Sequence, residues 1–188
     1  MLDESSSADT GRAKLCHERG LAYIAQHEFE RAAAEFDEVI RIEPTYAPAY
    51  FNRGLARGRL AFDGTGDVDP AIADYSEAIR LNPDYAKAFT NRGVMYYFKG
   101  ELAPALADFD AALGLDPNDD FALFNRAGLY NAMGDAERAI VDFSEAIRRD
   151  PSDAGPYEGR AQAYRKKGEH ELARADLAQA KLLQRGNS

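Results

Sequence analysis

The chain has 188 residues, 45% of them hydrophobic, with ten Tyr, ten Phe and no Trp, enough apolar material for a core without disulfide or metal staples. Its net charge of −9 argues against a nucleic-acid binder, because phosphate recognition needs a clustered positive surface. Cys16 is alone, which excludes an internal disulfide, and no run of about 18 apolar residues is present to span a membrane.

The chain opens with MLDESSSADTGR, acidic and Ser-rich, without a cationic n-region or an apolar h-region. Residues 1–12 are therefore expected as a flexible polar tail and not as a signal peptide. The expected compartment is the cytoplasm, or the periplasm if an export leader is missing from this chain. The Ala-, Arg- and Asp-rich composition reads as bacterial.

From residue 13 the sequence repeats itself. Pro117 follows Pro83, and Pro151 follows Pro117, by 34 residues, and Pro83 follows Pro44 by the same interval plus five. The segments 13–46, 47–85, 86–119, 120–153 and 154–187 superimpose as five units of one domain over 13–185. Each contains two stretches with apolar residues at i, i+3, i+4 and i+7, the period of a helix. A break separates them. Gly66, Gly100, Gly134 and Gly168 stand at that break, suited to a left-handed turn, and His27 holds the place less comfortably in the first unit. Each second helix runs up to its proline, and Thr45, Asp84, Asn118 and Ser152 follow as candidate N-caps. Pro70 and Pro104 fall in the first turn of a second helix, where a missing N–H is harmless. The layout is helix–turn–helix five times over, a stacked array in which each unit buries a face that its neighbours cover.

The contact surface alternates small and large. Ala32, Ala71, Ala105, Ala139 and Ala173 permit close approach, and Phe36, Tyr75, Phe109, Phe143 and Leu177 fill the space four residues later. Tyr23, Tyr96, Tyr130 and Tyr164 contribute from the first helices. Cys16 shares a column with Tyr50, Phe89, Leu123 and Tyr157 and reads as a small buried hydrophobe. Arg19, Arg53, Arg92, Arg126 and Arg160 recur with Glu35, Asp74, Asp108, Asp142 and Asp176. A carboxylate in every copy favours a register-setting ion pair over a row of ligand-binding arginines.

This pattern resembles the tetratricopeptide repeat family. The likeness rests on Gly20, Tyr23, Ala32, Phe36 and Pro44 and their copies, such as Gly93, Tyr96, Ala105, Phe109, Ala112 and Pro117. It covers residues 13 to about 185. Ala127 and Ala161 replace the glycine, Arg57 replaces the tyrosine, and Arg185 stands where a fifth proline would come. The resemblance implies an all-α fold, a right-handed superhelical solenoid of antiparallel helix pairs whose first helices build a concave wall that grips a peptide or partner helix.

Asn52, Asn91 and Asn125 each precede a repeated arginine. On the wall that the resemblance implies, they are similar to the asparagine ladders that hold an extended peptide by its backbone, since a carboxamide both donates and accepts. Phe51, Leu55, Lys87, Val94, Tyr97, Phe98, Phe121, Phe124 and Asn131 are expected on the same face. Arg165 and Lys166, with Lys14 and Arg59 in other units, would make the groove less acidic than the molecule. Co-chaperone members of the family clamp a terminal carboxylate with Lys and Asn on a first helix. Here His17 and Leu21, Phe51 and Leu55, or Thr90 and Val94 stand at those places, so that clamp is missing.

The insertion lies in Arg59–Thr65. It is expected to lengthen the first helix of the second unit, with Asp69 capping the helix before Pro70 and Phe62 free for a partner contact. Its acids lack the spacing of a calcium loop. In the last unit Arg174 and Lys181 replace apolar residues of the earlier copies, as a terminal repeat requires. His17, His27 and His170 are far apart in the repeat frame, and no nucleophile, hydrolase, phosphate-loop or metal motif occurs. The expectation is a binding scaffold or adaptor and not an enzyme, without catalytic residues, metal or cofactor. Its partner is a protein or peptide, extended with apolar anchors, and not nucleic acid, with no direct membrane insertion. The alternative is a structural homo-oligomer acting through its ends or convex side.

Overall fold

The computed structural model describes residues 3–186, and among these it contains ten α-helices and no strand. They divide into two compact units, Met1–Gly100 and Glu101–Ser188. The first unit holds α1 (Asp3–Ala25), α2 (Phe29–Ile42), α3 (Ala47–Phe62), α4 (Asp69–Leu81) and α5 (Ala86–Lys99). The second holds α6 (Leu102–Leu115), α7 (Asp120–Met133), α8 (Ala136–Arg149), α9 (Ala154–Lys166) and α10 (His170–Gly186). Residues 3–12, expected as a tail, extend α1, and Arg12 pairs with Glu38 of α2 at 3.0 Å.

Within each unit, consecutive helices pack against one another. First helices of adjacent repeats also meet, α1 with α3, α3 with α5 and α7 with α9. Among the described residues, no two second helices of one unit approach as closely. Within each unit the odd-numbered helices are therefore an inner layer, and the even-numbered ones an outer layer.

Small residues set the spacing between layers. Ala32, Ala71, Ala105, Ala139 and Ala173 are all buried, and so are the second-helix aromatics Phe36, Tyr75, Phe109 and Phe143. In the first two repeats a glycine receives the ring. A Cβ on Gly20 would stand 2.7 Å from Phe36, and one on Gly54 2.8 Å from Tyr75. Ala127 fills that place in the fourth repeat, and the Phe143 ring instead lies against Gly159 of α9, where a Cβ would collide with it. Repeats two to four carry Asn at the register position of Gly159, so its loss accommodates the alanine.

The turns differ from expectation at three points. In the second repeat the left-handed residue is Gly64, not Gly66, because α3 runs two residues longer than α5 or α7 and the turn follows its end directly. Thr65 N–H then donates to Leu60 O at 3.0 Å, the closure that Glu28, Asp135 and Glu169 make with Tyr23, Tyr130 and Tyr164 in other repeats. Next, the inner helices start one residue later than the expected caps, at Tyr46, Tyr85, Asp119 and Asp153. Asn82, Asp116 and Asp150, just before their prolines, accept the N–H two residues on, at 3.2, 3.0 and 2.9 Å. That side-chain turn occupies Asp84, Asn118 and Ser152 and delays the helix. Finally, Asp69 makes no cap. Val68 is the N-cap of α4, and the Asp69 carboxylate reaches Lys99 at 2.8 Å.

Candidate functional site

The repeated arginines are structural. Arg53 is held by Asp74 at 2.5 Å, Arg126 by Asp142 at 2.8 Å and Arg160 by Asp176 at 2.7 Å, each carboxylate on the second helix of the same repeat. A second arm reaches back to the preceding repeat: Arg53 to Asp37 at 2.6 Å, Arg92 to Ser76 at 2.9 Å, Arg126 to Asp110 at 2.8 Å and Arg160 to Ser144 at 3.0 Å. The guanidinium groups of Arg53, Arg126 and Arg160 thus each span two outer helices. Aromatic rings flank it along its own helix, Phe89 and Tyr96 around Arg92 and Tyr157 and Tyr164 around Arg160. Burial alone would lower the Arg53 and Arg126 pKa values, but the carboxylates outweigh it and raise both. Arg57 adds a further bond to the buried Asp74 at 2.9 Å. Arg19 pairs with Glu35 at 2.7 Å and touches the Cys16 sulfur at 3.5 Å. Burial, together with Glu35, pushes that thiol upward, away from the reactive thiolate.

In the first unit the predicted face is partly core. Phe51 is buried, its ring 4.8 Å from Tyr85 and 5.9 Å from Tyr75. Asn52 is buried beside it, so neither stands on the open surface expected of them. The Phe51 ring packs against α4 and the residue that starts α5, and Thr90 at the same register of α5 is buried as well. Leu55 and Val94 are half-buried against the same core. Lys87 is exposed, and its carbonyl accepts the Asn91 side-chain N–H at 2.7 Å. Tyr97 and Phe98 are open, Phe98 56% exposed with its ring edge-on to exposed Phe62 at 5.1 Å.

In the second unit, Phe121 is 55% exposed and Phe124 stands beside it, edge-on to Phe143 at 5.8 Å. Asn125 turns its N–H onto Phe121 O at 2.7 Å. One amide N–H of Asn91 and one of Asn125 are thus bound by their own helices. Asn131, expected on the surface, is buried and ties α7 to α9 by donating to Gly159 O at 2.9 Å. Its backbone oxygen accepts from Lys166 Nζ, and its side-chain oxygen is buried with no partner. A cleft of about 500 Å³ opens beside Lys166 and Lys167, against the Met133–Glu137 turn. Among the described residues, no three His, Cys, Asp or Glu side chains converge as a metal site.

What survives on the inner layer is an apolar set with amides beside it. Every large aromatic of the outer helices is buried, whereas Tyr97, Phe98, Phe121 and Phe124 of the inner helices face solvent. Sequence spacing identified those four. It missed that Phe62 joins Phe98, since this follows from where the insertion ends α3.

Comparison with known proteins follows the same lines. Profiles described as TPR repeat match residues 20–60 and 65–100, and profiles described as tetratricopeptide repeat match 86–119 and 124–187. No curated protein sequence matches the chain. Among solved structures, a MamA fragment from Desulfovibrio magneticus RS-1 superimposes with a TM-score of 0.82 at 20% identity, over 93% of this chain and 96% of that one. YrrB, described as a TPR protein with an unusual peptide-binding site, gives 0.73 at 21% identity over 90% and 84%. PilF of Pseudomonas aeruginosa gives 0.77 at 18% identity over 92% and 78%. Proline-timed helix pairs, small-to-large packing and matched profiles agree: the chain belongs to the tetratricopeptide repeat family.

Proposed function

We propose that this chain is a protein-interaction scaffold that binds a peptide or partner segment along its inner, first-helix layer. The observation that carries the reading is the asymmetry of its aromatics, buried on the outer helices α2, α4, α6 and α8 and open at Tyr97, Phe98, Phe121 and Phe124 of the inner ones. Open aromatics beside amides and small residues suit a protein contact, because they bury large area at low entropic cost. The likeness to YrrB, itself a peptide-binding protein by description, supports the same direction.

Affinity capture from a bacterial lysate tests this. Wild type is compared with Phe98→Ser/Phe121→Ser and with the outer-helix control Leu115→Ser/Val141→Ser, whose residues are also exposed. Loss of captured protein with the first pair alone supports the inner layer. Equal capture by all three contradicts it. A second reading, self-association, draws on Leu172 and Leu182 left open on α10. Mass that rises with concentration in sedimentation, and falls with Leu172→Ser/Leu182→Ser, would favour that reading.

A further inference from the structure

We propose that the first repeat holds a binding site for a small organic amine, a cavity between α1, the end of α2 and the start of α3. The apolar body of the amine points inward and its ammonium lies between Glu18 and Glu43 at the mouth. The cavity, of about 370 Å³, has the buried Ala13 and Val39 as its apolar floor. His17 and Tyr46 wall it, their rings 5.6 Å apart and inclined at 63°. Lys14, Glu18 and Glu43 bring the charges to its lining.

The sequence accounts for the cavity. His17 stands at the register position of Phe51, whose ring lies 4.8 Å from Tyr85, the counterpart of Tyr46. An imidazole is smaller than a phenyl ring and here sits farther from its neighbour, so the space that Phe51 fills in the second repeat stays open in the first. Glu43 stands at the register position of Asn82, Asp116 and Asp150, whose side chains each close a turn onto the N–H two residues on. Glutamate is one methylene longer and makes no such bond, which leaves the Glu43 carboxylate free. Glu18 takes the place of Asn52, Asn91 and Asn125, so a charge replaces an amide there.

Charge selects the ligand. Glu28, Glu35, Asp37 and Glu38 of the same repeat each hold an arginine. Glu18 and Glu43 hold none, and both act electrostatically on the His17 imidazole, which groups them around one ring. That imidazole does not neutralise them. Burial keeps its pKa below the ordinary value and its Nδ1 is buried without a partner, so it is uncharged at neutral pH. Lys14 offsets one of the two acids, and one negative charge remains for one ammonium. The two flanking rings add attraction for a cation. Depth sets the orientation, because Val39 and Ala13 are buried whereas Glu18 is exposed and Glu43 half-buried. A lysine side chain would drive its ammonium onto the apolar floor, where nothing replaces its water. A small amine enters with its apolar end first and keeps its ammonium at the acids.

The test is a titration of the full isotope-labelled chain followed by NMR, with phenethylammonium as probe and phenethyl alcohol as its neutral counterpart. The expected result is saturable shifts of the Val39 and Tyr46 amide signals by the ammonium ion at a Kd of about 1 mM, with the alcohol at least about tenfold weaker. In Glu18→Gln/Glu43→Gln the preference should fall to about twofold, and in Lys14→Gln the ammonium ion should bind about two- to threefold tighter. His17→Phe, which copies the residue of the second repeat, should abolish the shifts of both probes while the rest of the spectrum shows the chain folded. Equal binding of the two probes would overturn the proposal, and so would a preference unchanged in Glu18→Gln/Glu43→Gln. Saturable shifts from Nα-acetyl-lysine methylamide as tight as those from phenethylammonium would contradict the inward apolar end. The absence of saturable shifts with every probe would remove the site.

Discussion

Asp74 is 3% exposed and receives two arginines, Arg53 at 2.5 Å and Arg57 at 2.9 Å. Both guanidinium groups lose most of their water in that position, so the acid is what makes their burial tolerable. Asp74→Asn should therefore destabilise the fold by about 3 kcal/mol in chemical denaturation, because two cations are left facing a neutral amide. Glu35→Gln should cost far less, since Arg19 is half exposed and water replaces its partner. Equal losses from the two substitutions would contradict the account. His17 takes the place of Phe51 in the first repeat, edge-on to Phe36 and Tyr46 at 5.6 Å each. Burial lowers its pKa below the ordinary 6.5, against the opposing pull of Glu18 and Glu43. The unfolded chain then binds the proton more readily than the folded one. This contribution to stability is present above about pH 6.5 and declines as pH falls below it. His17→Phe should flatten the denaturation midpoint between pH 7.5 and 5.5, and a slope identical to wild type would remove His17 as its source.

At the scale of elements, the fourth repeat shows how one substitution is absorbed by another. Ala127 closes the hollow that glycine leaves elsewhere, and the Phe143 ring moves over Gly159. Gly159→Asn, which restores the residue of the preceding repeats, should cost about 2 kcal/mol or more in thermal or chemical unfolding. Adding Ala127→Gly should recover part of the loss by reopening the original hollow. Additive losses would show that the two sites are uncoupled. The turns offer a second check. His27 has a φ of 60°, where Gly134 and Gly168 serve in later repeats. His27→Gly should raise stability by roughly 0.5–1 kcal/mol, and no gain would mean that the His27 ring contact with Phe29 compensates.

These elements also show what sequence reveals. The helix pairs, the small-to-large columns and the arginine–carboxylate pairs were legible because each recurs at a fixed interval and periodic burial demands it. Caps were misread by one residue because Asn82, Asp116 and Asp150 act before the proline rather than after it. Asn52 and Phe51 lie on the expected helix but in the core, because the Phe51 ring packs against Tyr75 and Tyr85. The second arm of each arginine was invisible because its acceptors alternate between Asp and Ser.

In each unit the outer helices bury their large rings, whereas the inner helices leave some of theirs open. Outer helices also carry exposed ion pairs such as Arg148–Glu145 and Arg80–Glu77. Inner helices leave aromatics open in both units, Tyr97 and Phe98 in the first and Phe121 and Phe124 in the second. Such a surface fits transient association with protein segments, where a few aromatic anchors supply most of the affinity. Among the described residues no helix is long and apolar enough to cross a membrane.

The measurement that tests the central claim most directly is hydrogen–deuterium exchange of the chain, free and bound to a partner that it captures. The account predicts slowed exchange in α5, α7 and α9, with α4 and α8 unchanged. Protection confined to the outer helices, or to α10, would contradict it.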